Sequence, residues 1–169
     1  LDASGKSYLT LKKQVEEIVS KNYPMSAVQF VLTQPSSFTV VVKGEVKSTQ
    51  EVNVWALSRL SSVIKGCETA YSSTRDITVI STTGKKKSYD LFKATRFGDL
   101  SQDPYLRPGD IIEIKRADRK VSIGGAVERP GTYELLKGEN LKTLVSYYAN
   151  GLTVQADTTR MELSRRVGT

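Results

Sequence analysis

Val42-Lys43-Gly44-Glu45-Val46 and Ile123-Gly124-Gly125-Ala126-Val127 share one pattern, an apolar residue, then Gly and Val at alternate positions, with the central glycines 125 − 44 = 81 residues apart. The register persists outward. Leu60, Val63 and Ile64 fall on Leu141, Leu144 and Val145 at the same offset, and both triplets have the i, i+3, i+4 spacing of one helical face. Ile77 and Val79 then fall on Met161 and Leu163 at 161 − 77 = 84, so a longer loop is expected after the second helix. An offset this long does not suit a solenoid and predicts a small domain present twice. Each copy reads as strand, turn, strand, helix, strand. The first continues through a strand over Lys87 to Phe92 and another over Ile111 to Lys115. The predicted fold class is α+β.

Composition agrees with a folded chain. Of 169 residues, 38% are hydrophobic and 25% charged, unlike the signature of disorder. The absence of His removes the commonest general base, the serine-type triad and every His-containing metal site. Cys67, the single cysteine, allows no intrachain disulfide and reads as a small core residue. Apolar runs such as Val40 to Val42 fall far short of the roughly 20 residues a membrane-spanning helix needs. The chain begins at Leu1 rather than Met, which reads as a processed or excised piece.

The formal charge of +7 concentrates between residues 41 and 120, where fifteen Lys and Arg meet ten Asp and Glu. Lys85, Lys86 and Lys87 follow Gly84 at a predicted hairpin tip; Lys115, Arg116, Arg119 and Lys120 surround Asp118 in a predicted connector. Lys85, Lys86, Lys87, Arg116, Arg119 and Lys120 are candidate contacts for an anionic partner, whether nucleic acid, acidic polysaccharide or lipid head groups; a solvated, solubilising surface is the competing account. Tyr89 and Phe92 read as alternating strand residues rather than a stacking platform.

At the start of the chain, Leu11, Val15, Ile18 and Val19 mark a helix over Leu9 to Lys21 with Thr10 as N-cap. Ala27 to Leu32 then reads as a strand, and Gln34-Pro35-Ser36-Ser37 as a turn into the next. In the second copy, Glu128-Arg129-Pro130-Gly131 reads as a turn in which Gly131 takes positive φ. Asn140 caps the following helix and Asn150-Gly151 ends it.

Val121-Ser122-Ile123-Gly124-Gly125-Ala126-Val127-Glu128-Arg129-Pro130-Gly131-Thr132-Tyr133, followed by Leu141, Leu144 and Asn150-Gly151, resembles the soluble-ligand-binding β-grasp domain. That domain has a strand ending Gly-x-Val, then Pro-Gly, an aromatic, and a helix ending in Gly. Tyr105-Leu106-Arg107-Pro108-Gly109-Asp110-Ile111-Ile112 is similar to the Leu-x-Pro-Gly-Asp turn that precedes its last strand. Pro108 fixes the bend, Gly109 tolerates an unusual φ, and Asp110 can accept from nearby backbone N–H groups. Leu9 to Leu32 followed by Phe38 to Val46 looks like the end of a polysaccharide-export domain running into tandem β-grasp domains, the order found in bacterial outer-membrane polysaccharide export proteins.

The resemblance implies the end of an export α/β domain over 1–37, a first β-grasp (ubiquitin-like) domain over 38–118, and an incomplete second over 119–169. It also implies a non-catalytic, periplasmic, outer-membrane-associated part in capsule or exopolysaccharide transport, with no cofactor. The implied partners are further copies of the chain, polysaccharide and an inner-membrane polymerising complex. The counterpart of Ile114 would stand at 114 + 84 = 198, past Thr169, so the second copy lacks its last strand. In this family the first and last strands pair at the sheet centre. Val121 to Val127 is therefore expected to show an open edge, covered by another chain or by the N-terminal segment.

Gly44, Val46, Pro108, Gly109, Asp110, Gly125, Val127, Pro130, Gly131 and Gly151 carry the resemblance and read as structural, since turns and close strand packing account for them. Gly124-Gly125 sits inside a strand pattern, and Ser4-Gly5-Lys6-Ser7 lacks the upstream Gly of a phosphate-binding loop. Glu16 with Glu17, and Asp99 with Asp103, are the carboxylate pairs; they read as a wet helix face and as local turn acceptors. Trp55, the only Trp, either stacks on a sugar ring or packs in the core, with the core preferred. The alternative function is a nucleic-acid-binding β-grasp module of a DNA-uptake system. An enzyme is disfavoured by the missing His, paired Cys and nucleophile motif.

Overall fold

The computed structural model describes residues 1–3, 5–25 and 27–165, which divide into a unit over Leu1–Ser36 and one beginning at Ser37. In the first unit, α1 (Tyr8–Asn22) extends the helix expected over Leu9 to Lys21 by one residue at each end. Ser7, not Thr10, is the N-cap: its side chain accepts from Thr10 N–H at 3.2 Å. No residue of α1 is buried. Ala27 to Leu32 forms no strand, because among the described residues of this unit there is no other strand for it to pair with. Instead Tyr8 packs its ring 5.6 Å from that of Phe30 and donates from its hydroxyl to the Phe30 carbonyl.

The larger unit runs β1 (Ser37–Gly44), β2 (Gln50–Trp55), α2 (Leu60–Ile64), β3 (Ser72–Ile80), β4 (Lys86–Tyr89), α3 (Leu91–Phe97), a 3-10 turn (Leu100–Gln102) and β5 (Ile111–Arg116). The five strands form one sheet in the order β2-β1-β5-β3-β4. β1 and β5 are parallel at its centre, and the other pairings are antiparallel. The fold is thus α+β, as expected. Alternation sends Val40, Val42, Ile77, Ile112 and Ile114 to one face, where Leu60, Val63, Ile64, Leu91 and Leu106 close the core. Gly44 is required here by contact as well as conformation: at φ +97 a Cβ would stand 2.2 Å from the Ile114 carbonyl oxygen. Cys67 lies in this core. The strand expected over Lys87 to Phe92 stops at Tyr89, because Asp90 accepts from Phe92 and Lys93 N–H and caps α3.

The register between β3 and β5 shifts between Ser72 and Ile77. This bulge turns Ser73, Thr74 and Arg75 toward the second repeat. That repeat consists of β6 (Lys120–Ile123), β7 (Gly131–Glu134) and α4 (Leu141–Thr143), whose last turn widens to π-helix over Leu144–Tyr148. Asn140 caps α4 through Thr143 N–H. Glu134 accepts from Ser73 Oγ at 2.5 Å and from Thr74 N–H at 3.2 Å, while Arg75 reaches the Glu134 carbonyl at 2.9 Å and the Glu139 carboxylate at 2.7 Å. Phe92 of α3 packs against Leu135, Leu144 and Tyr148, so the second repeat builds its small core on the first.

Three expectations for the second repeat need correction. Met161 and Leu163 form no strand and are 79% and 65% exposed, since among the described residues the β6-β7 hairpin has no third strand to receive them. Gly125 follows β6 instead of lying within it. Gly131 opens β7 without positive φ, so Pro130 and not Gly131 makes that bend. Among the described residues β6 pairs with β7 alone, which leaves the open edge expected on Val121 to Val127.

Candidate functional site

The end of the five-stranded sheet where β5 begins gathers three loops. The turn leading into β5 is held by Asp110, whose buried carboxylate accepts from Arg107 N–H at 2.8 Å, and by Val41 N–H donating to the Asp110 carbonyl. Alternation buries Leu106 and Asp110 and leaves Tyr105 and Arg107 outside. Gly109 at φ +76 approaches the 81–84 loop so closely that a Cβ would lie 2.6 Å from Thr82 Cγ2. Lys86 pairs with Ile80 and Ile80 with Ile111, so the lysine hairpin stands at the same end of the sheet as the start of β5, on the β4 edge. All three lysines are exposed, and among the described residues none has a carboxylate within ion-pair distance. Lys87 leans its ammonium 5.0 Å over the Tyr89 ring.

On the other flank, Trp55 ends β2. Ser58 N–H donates to the Trp55 carbonyl, and the Ser58 carbonyl in turn accepts from Leu106 N–H, which ties the end of β2 to the loop before β5. Arg59 bridges to the loop before β5. Its guanidinium lies 4.1 Å over the Tyr105 ring, donates to the Tyr105 hydroxyl at 3.0 Å, and donates to the Asp103 carbonyl at 2.6 Å. Trp55 is 47% exposed and Tyr105 51%, so the preference for a core Trp55 is overturned. Its side chain belongs to the outer face of an edge strand, opposite Ser37, where no second layer covers it. Trp55 thus ends the edge strand β2, and the Lys85–Lys87 hairpin borders the opposite edge strand β4; in the loop before β5, the carboxylates of Asp103 and Asp110 are both buried and engaged.

The other candidate cations lie at the opposite end of the sheet and are spent on the fold. Arg116 pairs with Glu45 at 3.3 Å and stacks 4.3 Å over Tyr71. Arg119 donates to the Leu136 and Glu139 carbonyls, and Lys120 to the Ala70 carbonyl at 2.5 Å. The structure therefore separates the lysine hairpin from Arg116, Arg119 and Lys120. Asp99 accepts from Ser101, and both oxygens of Asp103 accept from Ser61, a longer-range bond than a local turn would make. Glu16 pairs with Lys12 along α1. Of the Ser4-Gly5-Lys6-Ser7 stretch, Ser4 lies outside the described residues, Ser7 caps α1 and Lys6 donates to Gln14.

The remaining motif residues sit at chain reversals and bridges. Val46 bridges to Glu68 and Val127 to Leu152, at equivalent places in the two repeats. Gly125 and Gly151 both have positive φ, and Pro130 precedes β7.

Sequence reasoning missed a buried ionic cluster. Arg75, with a side chain only 4% exposed, meets Asp90 at 3.0 Å and Glu139 at 2.7 Å, with the Tyr148 ring 4.9 Å from its guanidinium. Burial would raise the Glu139 pKa, but hydrogen bonds from Arg75, from the Tyr148 hydroxyl and from Leu136 N–H hold it down at about 2. Burial also opposes the charge on Arg75, and the bonds to Glu139 and Asp90 outweigh it, so its pKa lies above the ordinary value. Burial, then the Glu139 bond, pushes Tyr148 up. Every polar group in this cluster has a partner within the protein, which makes it a clasp between the repeats. A lone Arg inside the strand pattern Ser72–Ile80 was the available signal. Arg59 and Tyr105 were also missed, because their pairing spans 105 − 59 = 46 residues.

Comparison with known protein families finds no matching family model, and comparison with curated proteins finds no similar sequence.

Proposed function

We propose that this chain is a non-catalytic module of bacterial capsule or exopolysaccharide export, acting in the periplasm at the outer membrane through self-association and binding of polymer or partner proteins. The observation that carries the reading is the sheet order β2-β1-β5-β3-β4 with β1 and β5 parallel at its centre, entered by the Leu106 to Asp110 turn; this agrees with a β-grasp domain. The equivalent bridges Val46 to Glu68 and Val127 to Leu152 support a tandem arrangement. The single-sided pairing of β6 supports self-association, since an edge of this kind is a template for another chain.

Light-scattering chromatography over a concentration series tests the assembly. Leu135 N–H bonds the Arg119 carbonyl, so alternation turns the Ser122 N–H away from β7 and toward the open edge. The chain is expected to gain mass with concentration, and Ser122→Pro to remain monomeric by removing that donor. A chain that is monomeric throughout overturns the self-association.

A further inference from the structure

We propose that Asn150 is a site of spontaneous deamidation, held off by the fold and released when the second repeat opens. Asn150-Gly151 is the only Asn-Gly pair in the sequence. In the reaction the Gly151 amide nitrogen attacks Cγ of Asn150, a new C–N bond forms, the bond to the side-chain nitrogen breaks, and ammonia leaves with the amide proton. Water then opens one of the two imide bonds, giving aspartate or isoaspartate. Glycine suits the attacking position because it has no Cβ to hinder its nitrogen.

The electrophile is open. Asn150 is exposed, and its side-chain amide makes no hydrogen bond among the described residues. It takes φ +62, the only positive φ outside glycine among those residues. The bridges Val46 to Glu68 and Val127 to Leu152 align Asn150 with Gly66 of the first repeat, where φ is +94. The first repeat thus meets the same left-handed requirement with a residue that has no side chain to react, and the second alone carries the labile pair.

The nucleophile is closed. Gly151 N–H donates to the Val145 carbonyl at 2.8 Å and ends the helix. The chain around it is stitched to the 126–129 loop: Glu128 N–H donates to the Gly151 carbonyl at 3.1 Å, Arg129 N–H to the Ala149 carbonyl at 2.9 Å, and Thr153 N–H to the Ala126 carbonyl at 3.1 Å. Attack requires the peptide between Asn150 and Gly151 to turn, which breaks the Val145 bond and disturbs the three beside it. These bonds depend on the clasp, because Leu144 and Tyr148 of the same helix fill the small core and the Tyr148 hydroxyl donates to Glu139 at 2.7 Å. Opening the clasp therefore frees the nitrogen. The isoaspartate product routes the main chain through Cγ and lengthens it by one carbon, so the stitched bonds no longer align and the opening becomes one-way.

Peptide mapping of the whole chain, incubated in warm neutral buffer, tests this through the amide-to-acid mass gain on the tryptic fragment 143–160. Conversion is expected to be fastest in guanidinium chloride and at least about tenfold slower in the native chain, following the population of the open form. Arg75→Ala is expected to fall between the two, and Glu139→Gln to move the native rate less far in the same direction. Asn150→Gly is expected to fold, as Gly66 does in the first repeat, and to abolish conversion. Isoaspartate chains separated by ion exchange are expected to lose hydrogen-exchange protection over β6 and β7. Equal rates in native and unfolded chains overturn the protection by the fold. Rates in both clasp variants equal to the native rate overturn the link to the second repeat. No conversion of the fragment in the unfolded chain, or conversion that survives Asn150→Gly, overturns the site, and unchanged protection in the isoaspartate form overturns the one-way step.

Discussion

Among the described residues, the first repeat gathers fourteen buried hydrophobic side chains in one cluster beneath five strands, whereas the cluster of the second holds three, Leu135, Leu144 and Tyr148, beside a two-stranded hairpin. Both begin from the same strand–turn–strand–helix pattern. A two-stranded hairpin is marginal on its own in water. What separates them is therefore borrowed structure: the second repeat uses Phe92 of α3 as part of its core and Arg75 of the β3 bulge as its clasp. Stability should run one way, with the first repeat able to survive loss of the second and the second unable to survive loss of the first.

The largest test of this asymmetry is Arg75→Ala. It leaves Asp90 and Glu139 without their cation in a partly buried site, which costs about 3–5 kcal/mol where one member of such a pair is removed. Hydrogen exchange should then rise over β6, β7 and α4 while β1 and β5 stay protected. Equal loss of protection in both repeats would break the comparison. Gly44→Ala strikes the other side. Its Cβ meets the Ile114 carbonyl at the central strand pair, with φ at +97, and is expected to cost about 2–4 kcal/mol. Because the second repeat leans on the first, this variant should lower protection everywhere, the opposite signature from Arg75→Ala.

The parts of the fold legible from sequence are those set by local pattern and turn chemistry. Alternating Val40, Val42, Ile112 and Ile114 place strands and their faces, and Pro108-Gly109-Asp110 places the turn that enters β5. Non-local facts were not legible. Ala27 to Leu32 has a strand's composition but no partner, and Met161 with Leu163 repeats the β3 pattern where no sheet awaits it. The Arg75 clasp needed the bulge between Ser72 and Ile77, which no spacing announces. The candidate site was half visible. The lysine hairpin could be read directly, but its separation from Arg116, Arg119 and Lys120 depends on strand order, and Trp55 reads as core until β2 is known to be an edge.

Acid gives the smallest expected effect and isolates one residue. Glu139 has a folded pKa of about 2 against an ordinary 4.5, so the native state binds its proton less readily than the unfolded chain. Its stabilising contribution is fully present above the unfolded value and is lost as pH falls from 4.5 toward 2, a loss on the order of 2 kcal/mol. The bond it weakens is the Arg75–Glu139 pair that joins the repeats, so acid should open β6 and β7 before the five-stranded sheet. Glu139→Gln keeps the side chain's size and carries no titrating proton. Urea midpoints compared at pH 6 and pH 3 should fall for the native chain and fall less for Glu139→Gln. Equal declines in the two would place the acid sensitivity on other carboxylates and remove Glu139 from the clasp.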